Sequence, residues 1–258
     1  MGKLLIDGDI FAYKASSSVQ KDIDWGDGLY TCHAYLGDAI EQFNNLLDNV
    51  IEMLSEETLD KYSKSDVMIF FSDSHNFRKH YYADYKSNRK NIRKPTCYNA
   101  LVNWVNNESG YTVVKPIKYL EADDLIGIYA TTYNDAVIVS MDKDFKTIPA
   151  TFFDFGRGEF VTRTEAEADR WLAYQILVGD ATDGYKGCPS YGPVKAKRLL
   201  DKTSDEDLWD TVVKACKAQG MTDNEINVQA TMARILRKED FLKFSEGEIP
   251  KKFIIAKS

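Results

Sequence analysis

The sequence predicts an α/β fold built on a mostly parallel central sheet. Three short runs are apolar and rich in β-branched or aromatic residues, as in buried strands: residues 3–6, 67–71 and 136–139. Helical patterns separate them, and this alternation is typical of a parallel sheet flanked by helices. Asp7, Asp73 and Asp142 come shortly after the three runs. Because ligands bind at the carboxyl ends of strands in such sheets, we expect these carboxylates to meet there.

The first half of the chain fits this alternation element by element. Apolar residues recur at helical spacing over residues 33–54, which predicts a helix that packs on the sheet. A polar connector is predicted over residues 55–65, and a second helix over residues 98–106 after Pro95. Residues 111–114 are predicted to form a further strand.

From residue 164 onward the sequence predicts mostly helices. The first helix of this region is predicted over residues 165–178. Before the region, a further helix is predicted to begin at the acidic stretch 120–124. Two capping boxes predict further helix starts: Ser204-x-x-Asp207 and Thr222-x-x-Glu225. Gly220 ends the first of these two helices, and the second is expected to carry Leu236. The tail, residues 251–256, is predicted to be a short extended piece.

Length and cysteine usage set broad limits. A chain of 258 residues allows one large domain, or a domain with a small appendage, and a sizeable core. The four cysteines are scattered without a CxxC pair, and no histidine lies at metal-ligand spacing. This pattern argues against zinc and for reduced thiols in a cytosolic compartment. The sequence shows neither a signal-peptide pattern nor a run of about eighteen apolar residues, so a cytoplasmic location is expected.

The distribution of charge is more informative than its sum. A net charge of −7 argues at first against nucleic acid, which usually selects basic surfaces. Between residues 78 and 94, however, seven basic residues outweigh the single Asp84. A dense basic segment in a chain with clustered carboxylates is what a metal-dependent nuclease requires.

The candidate metal ligands are carboxylates that follow strands, open helices or stand in a turn: Asp7, Asp73, Glu121, Asp123, Asp124, Asp142, Asp144, Asp180 and Asp183. Asp9 is a weaker addition. Oxygen ligands without His or Cys suit Mg²⁺, for which Mn²⁺ can substitute. The number of carboxylates exceeds the needs of one ion and favours two. Two ions about 4 Å apart can activate a water and stabilise the leaving oxygen of a phosphodiester.

For some of these residues, a role in local backbone structure is an alternative to metal binding. Glu121, Asp123 and Asp124 open a predicted helix, where one or two acidic residues complement the helix dipole. Three together repel one another, and a cation is needed to keep them all ionised. Asp142 and Asp144 alternate along the chain, so both point the same way if the chain is extended there.

Residues 179–200 combine two carboxylates, a glycine-rich turn and a short basic helix. Asp180 and Asp183 are three apart, the spacing that places two side chains on one face of a helical turn. Gly187 and Gly192 admit unusual backbone angles, and such a turn can aim bare N–H groups at a phosphate. Ordinary helix capping is the alternative explanation.

Three residues of the basic segment are candidates for substrate contact. Lys86 and Arg89, three apart, can both face a scissile phosphate, whose charge a cation must offset. A solvated basic face is the alternative for this pair. Tyr85 can stack on a base, although a single tyrosine is more often a packing residue.

Together these motifs resemble the 5′-nuclease superfamily, which includes flap endonucleases, the 5′-nuclease domains of bacterial DNA polymerases and phage 5′–3′ exonucleases. Five motifs carry the resemblance: IDGD at 6–9, YKSNRK at 85–90, EADD at 121–124, SMDKDF at 140–145 and GDATDGYKGCPSYGP at 179–193. Residues 208–237 look closer still to the exonucleases of T-seven-like short-tailed phages. The resemblance therefore covers nearly the whole chain.

The resemblance implies two regions. The first, residues 1–164, would be a PIN-like (resolvase-like) nuclease domain with a basic arch or gateway segment at 76–96. The second, residues 165–258, would be a helical DNA-binding region that contains a helix–three-turn–helix element at 172–200. The fold implied is thus a central, mostly parallel sheet flanked by helices, followed by a helical region.

The resemblance also implies roles for single residues. Asp180 and Asp183 match the family's second-metal cluster. The other candidate ligands, apart from Asp9, match its first-metal cluster. Lys86 and Arg89 match catalytic residues that handle the 5′ end. The remaining matches are implied to bind DNA: Arg78, Lys79, Tyr85, Lys90, Gly187, Gly192, Lys195 and Lys197. The turn at 187–192 would grip duplex phosphates, with K⁺ as a possible ligand. The family's usual lysine after this turn is Val194 here, and Lys195 is expected to replace it.

The implied activity is Mg²⁺-dependent 5′–3′ exonuclease action on DNA. Flap endonuclease and RNase H-type primer removal in phage replication and recombination are expected with it. The expected partners are duplex DNA with 5′ ends or flaps, RNA–DNA hybrids and replication proteins, without a membrane, and the expected location is the host cytoplasm.

Three alternatives are weaker. A 3′–5′ proofreading exonuclease would have Asp-x-Glu on its first strand, where this chain has Asp7-x-Asp9, and would lack the glycine turn. A non-catalytic DNA-structure-binding protein would lack a carboxylate of the cluster. A small-molecule phosphohydrolase would not need the basic segment.

Overall fold

The computed structural model describes residues 2–58, 61–133, 135–245 and 247–256. The strands of this part of the chain are β1 (Leu4–Asp7), β2 (Lys21–Asp24), β3 (Tyr30–His33), β4 (Val67–Phe70), β5 (Thr112–Val114), β6 (Val137–Ser140), β7 (Thr151–Asp154) and β8 (Glu159–Thr162). Six of them form one sheet in the order β5-β4-β1-β6-β7-β8. Its strands pair in parallel except at the edge, where β8 runs antiparallel to β7.

The described helices follow in chain order: α1 (Gly8–Val19), α2 (Leu36–Thr58), α3 (Arg78–Tyr81), α4 (Tyr98–Asn107), α5 (Ala122–Thr132), α6 (Glu165–Val178), α7 (Pro193–Leu200), α8 (Leu208–Lys217), α9 (Asp223–Ala233) and α10 (Lys238–Phe241). Short 3₁₀ turns span Lys64–Asp66, Ser87–Arg89 and Lys143–Thr147. None of the helices in the described ranges combines the length and apolar character needed to cross a membrane.

Successive side chains of the central strands point alternately into two hydrophobic cores. Leu4 and Ile6 of β1 point to a cluster that α1, α2 and α4 cover, whereas Leu5 between them points to the cluster under α5. All three are fully buried. Burial of one such side chain contributes about 1.5–3 kcal/mol, so this alternation fixes the register of β1 and places Asp7 at its carboxyl end. The predicted α/β class with a mostly parallel sheet and helices on both faces is confirmed.

A third core joins α6, α7, α8 and α9. Leu172 and Ile176 of α6 and Ile226 of α9 are fully buried in it. Thr222 caps α9 and forms the predicted box with Glu225, and this prediction is confirmed. The division of the chain at residue 164, and the helix–three-turn–helix assignment within the second region, stay predictions.

The structure corrects several predicted elements in the first half. Residues 30–33 pair with residues 21–24 in a separate hairpin, so α2 begins at Leu36 rather than at residue 33. The same helix continues to Thr58, and the connector predicted from residue 55 was wrong over its first residues. The β7–β8 hairpin was not predicted, because its strands are short and half polar.

Helix ends in the second half also differ from prediction. Ser204 and Asp207 bond to each other, but α8 begins only at Leu208. Helix α9 ends at Ala233, so Leu236 lies in the extended link to α10 rather than on the helix. Residues 251–256 join no strand; Asn227 of α9 accepts the backbone N–H groups of Ile255 and Ala256.

Candidate metal centre and nucleic-acid interface

The carboxyl end of β1 places Asp7 at the centre of the sheet edge. Asp7 also caps α1: its Oδ1 accepts the N–H of Ile10 at 3.2 Å, and its Oδ2 accepts the hydroxyl of Ser140 at 2.9 Å. Burial, followed by the charge of Asp9, raises the pKa of Asp7 to about 7. The carboxyl is therefore costly to ionise unless a cation lies beside it.

Asp73 lies three residues after the end of β4, the strand that pairs with β1. Its Oδ2 accepts the backbone N–H groups of His75 and Tyr119, both at 3.0 Å. Partial burial opposes ionisation, but these N–H groups outweigh it and lower the pKa of Asp73. Asp9, in the first turn of α1, accepts the N–H of Ser72 and the hydroxyl of Tyr98. Both of its oxygens therefore already accept hydrogen bonds from the protein.

The N-terminus of α5 holds the densest group of carboxylates. One oxygen each of Glu121, Asp123 and Asp124 lie within 4.8 Å of one another. Burial and then the charge of Glu121 raise the pKa of Asp123 well above its usual range. Glu121 behaves oppositely: burial opposes its ionisation, but Lys86 and Arg78 hold its pKa at about 2. Such a group gains from a divalent cation, which would compensate the repulsion.

Arg78 is a structural cation of this group, which corrects its assignment to DNA binding. Its side chain is 1% exposed. The guanidinium donates to both oxygens of Asp124 at 2.7 and 2.8 Å, to Glu121 at 3.1 Å and to the carbonyl of Arg234 at 2.6 Å. A residue enclosed in this way cannot reach a DNA backbone. Asp124 accepts two further N–H groups, from Glu121 and Leu236, so all of its accessible acceptor positions are used.

Tyr85 is likewise buried, which corrects the expectation that it stacks on a base. It is 2% exposed, and its hydroxyl lies 3.2 Å from Glu121 and 3.1 Å from Asp183. The ring packs in the α6–α9 core. Tyr85 therefore joins two carboxylate groups rather than offering a face to substrate.

Asp142 caps the 3₁₀ turn after β6 and Asp144 lies within that turn, so the extended geometry considered from the sequence is wrong. Asp142 accepts the N–H of Asp144 at 2.9 Å, which folds the chain back on itself. Burial, and then the charge of Asp142, raise the pKa of Asp144 to about 7. Gln175 of α6 donates to Asp144 at 2.5 Å, and this contact was not predicted.

The spacing of Asp180 and Asp183 indicated a helical turn. Both residues instead lie in a tight turn outside the helices. The Oδ1 of Asp180 accepts the N–H groups of Thr182 at 2.7 Å and of Asp183 at 3.3 Å, which stabilises the turn. Both aspartates are less than a tenth exposed. Tyr185, next in the turn, buries a hydroxyl that has no hydrogen-bond partner among the described protein atoms. Burial, and then the charges of Asp144, Asp180 and Asp183, raise the pKa of this hydroxyl well above its usual range.

The glycine turn closes by direct contact of two backbones. Gly179 and Gly187 have φ of +75° and +69°, and a Cβ on Gly187 would lie 2.4 Å from the nitrogen of Gly179. Only glycine fits both positions. The N–H of Gly187 donates to Gln229 at 2.8 Å. This amide is therefore not bare, and the expectation that it is aimed at a phosphate is wrong.

Besides Arg78, three cations of the described part of the chain contact predicted metal ligands. Lys86 Nζ is 2.7 Å from Glu121, Arg89 is 2.7 Å from Asp183, and Lys143 Nζ is 2.9 Å from Asp180. Burial opposes a charge on Lys86, but Glu121 and Asp123 keep its pKa above its usual value. Lys143 was not predicted, although its place between two candidate ligands was a signal.

The other predicted DNA contacts are solvent-exposed: Lys79, Lys90, Gly192, Lys195 and Lys197. Lys195 lies over the ring of Tyr191, and Lys197 pairs with Asp201 on the same helix. A groove of about 1110 Å³ runs beside the carboxylates, and among its walls are Asp9, Asp73, Arg89, Asp142 and Lys143. The structure thus places Asp73, Asp142 and Arg89 along one groove, and it brings Lys86 and Arg89 into contact with Glu121 and Asp183.

Comparisons with known proteins identify the family that this chain resembles. Residues 3–154 match the model of the 5′–3′ exonuclease N-terminal resolvase-like domain. The chain is 33% identical to the exodeoxyribonuclease of Enterobacteria phage T3, over 93% of this chain and 89% of that protein. It is 32% identical to the exonuclease of Escherichia phage T7, over 96% and 92% of the two chains. The fold resembles that of the D15 protein of phage T5, with a TM-score of 0.60, 11% identity, and 90% and 89% of the chains covered.

Proposed function

The chain belongs to the 5′–3′ exonuclease family, and on that premise we propose that it hydrolyses phosphodiester bonds of DNA from 5′ ends. The observation that carries this proposal is a groove lined by Asp73, Asp142 and Arg89, beside which Lys86 and Arg89 of the basic segment contact Glu121 and Asp183. Substrate binding, metal binding and charge compensation therefore have candidate residues in one groove.

The donor set fits hard divalent cations. It consists of carboxylate oxygens, several of them buried beside like charges. The buried hydroxyl of Tyr185, on which the charges of Asp144, Asp180 and Asp183 act, has no hydrogen-bond partner in the described part of the chain. We assign Mg²⁺, with Mn²⁺ as a substitute, and two ions. Bound there, such ions would activate a water and stabilise the leaving oxygen.

The residues proposed to hold the ions fall into two groups. The first contains Asp7, Asp73, Glu121, Asp123, Asp142 and Asp144. The second contains Asp180 and Asp183. We propose that Asp124 contributes by anchoring Arg78, because both of its oxygens are already occupied.

Lys86 and Arg89 are proposed to act on the scissile phosphate. Both side chains reach the carboxylates from the basic segment, and each is held by a contact of 2.7 Å. A cation placed there offsets the charge that develops during phosphoryl displacement. Arg89 is the more exposed of the two, and Lys86 is the more enclosed.

Duplex DNA is proposed to lie along the exposed lysines. Lys79 and Lys90 belong to the proposed arch at 76–96, and Lys195 and Lys197 to α7. Gly192 caps α7 without a side-chain hydrogen bond, which leaves backbone N–H groups of the first turn for a phosphate. A K⁺ ion at the 187–192 turn, flaps and RNA–DNA hybrids as substrates, replication proteins as partners and the host cytoplasm as location complete the proposal.

A duplex with a 5′ overhang or flap, labelled at its 3′ end, tests the function. The wild-type protein is incubated with Mg²⁺ and, in parallel, with EDTA. We expect products that shorten from the 5′ side and only in Mg²⁺. Degradation from the 3′ end would favour the proofreading alternative, and binding without cleavage would favour a non-catalytic DNA-binding protein.

A further inference from the structure

Lys143 is a cation of the site to which no role has been given so far. It lies between Asp142 and Asp144 on the 3₁₀ turn that follows β6. Its Nζ is 2.9 Å from Oδ2 of Asp180, although 56% of the side chain is exposed to solvent. The residue therefore touches a proposed metal ligand with its amine and borders the groove with the rest of its side chain.

The position of Lys143 differs from that of the other two cations. Lys86 and Arg89 come from the basic segment, whereas Lys143 comes from the sheet edge. Arg89 and Lys143 both border the groove that also contains Asp73 and Asp142. A phosphate that lies in this groove is thus approached by a cation from each of two separate chain segments.

The contact between Lys143 and Asp180 is easily exchanged. An ion pair whose lysine is more than half exposed contributes little, because water screens the ammonium group and the long side chain loses freedom when it is held. A divalent ion on Asp180 would carry twice the charge and bind the oxygen directly. It would also repel the ammonium group, which can turn into the groove without passing through the core.

We propose that Lys143 holds Asp180 in the metal-free protein and contacts the substrate phosphate once a divalent ion takes that carboxylate. This inference rests on the proposed nuclease function. It predicts two opposite effects of removing the amine. Metal binding becomes tighter, since a competing cation is gone, and the chemical step becomes slower, since a phosphate contact is gone. A lysine with only a structural role would not produce tighter metal binding.

The chain offers a matched control three residues away. Lys146 lies on the same turn, and its Nζ is over the ring of Trp171, 5.5 Å from the centroid. Lys146→Met removes the same charge from the same turn without touching Asp180. Lys143→Arg is the conservative variant, since it keeps a cation of similar reach.

The first experiment is calorimetric titration of the metal-free proteins with Mn²⁺ in the absence of DNA. We expect Lys143→Met to bind Mn²⁺ about twofold to fivefold more tightly than wild type, as the loss of an exposed ion pair implies. Lys146→Met should bind like wild type. Unchanged or weaker binding by Lys143→Met would overturn the proposal.

The second experiment is single-turnover cleavage of the 5′-overhang duplex at saturating Mn²⁺. We expect Lys143→Met to be slower by about a hundredfold to a thousandfold, as for loss of one stabilising contact to the reacting group, and Lys143→Arg to retain most of the rate. If wild type does not cleave, the proposed function fails. If wild type cleaves and Lys143→Met is as fast as Lys146→Met, only the role of Lys143 fails.

Discussion

Replacement of Arg78 by methionine tests whether this arginine is a structural cation or a surface contact. The guanidinium is 1% exposed and makes two hydrogen bonds to Asp124, one to Glu121 and one to the carbonyl of Arg234. Arg78→Met leaves Asp124 buried beside other carboxylates without its counter-ion. Removal of one partner of a buried ion pair costs about 3–5 kcal/mol, because the remaining charge is uncompensated.

For a chain of this size that loss corresponds to a fall in Tm of about 6–20 °C. Thermal and urea unfolding, both in EDTA, measure it without interference from metal binding. The matched variants are Asp124→Leu and the double variant with Arg78→Met. Because the double variant removes both charges, we expect its stability loss to be clearly smaller than the sum of the two single losses.

Two results would refute this reasoning. If Arg78→Met melted within about 2 °C of wild type, the burial of an uncompensated Asp124 would not have the cost assigned to it. If the same variant kept its stability but lost affinity for duplex DNA, the residue would be the DNA contact that its place in the basic segment had indicated. Strictly additive losses in the double variant would likewise contradict a direct ion pair.

The remaining predictions concern the metal site and the phosphate. Asp183→Asn should abolish cleavage yet leave duplex binding in Ca²⁺ largely intact; equal loss of both would contradict its assignment as a metal ligand. Lys86→Ala should slow single-turnover cleavage more than it weakens DNA binding, and an unchanged rate would show that Lys86 serves only as a counter-ion of Glu121. The pH prediction follows from Asp7 and Asp144, whose pKa values of about 7 lie above the usual Asp value of about 3.9. Between about pH 3.9 and 7 the native state therefore binds more protons than the unfolded state. The free energy of unfolding of the metal-free protein should consequently fall as pH rises from 5 to 7.5. The fall is at most about 1.4 kcal/mol per pH unit for each of the two groups. Urea unfolding in EDTA at the two pH values measures this, and a rise in stability would contradict the burial of these carboxyls.

Local sequence rules predicted the strands and the acids that follow them. Leu4, Ile6 and Asp7 needed only the apolar run and the rule that sites lie at carboxyl ends of strands. Arg78 could not be placed in this way. Its partners are 46 and 156 positions away in the chain, so its burial depends on tertiary packing that no local pattern records.

The turn between Gly179 and Gly187 shows a second reason why the structure differs from the sequence-based predictions. The spacing of Asp180 and Asp183 fits a helical turn, but the contact of Gly179 with Gly187 imposes a tighter path on the backbone. Gly187 was correctly singled out for its conformational freedom, yet its amide is used by Gln229. A sequence shows that a backbone can adopt such a turn, whereas the fate of each N–H depends on neighbouring elements.

The contacts of Asp124 tie the completion of the active site to the order in which the chain is made. Its Oδ1 accepts the N–H of Leu236, 112 residues later, and Arg78 donates to the carbonyl of Arg234. A growing polypeptide that has not reached this link has the acidic residues of α5 but lacks the backbone groups that hold their arginine in place. Nuclease activity is therefore expected to emerge only after residues 234–236 have been made, more than a hundred residues after α5.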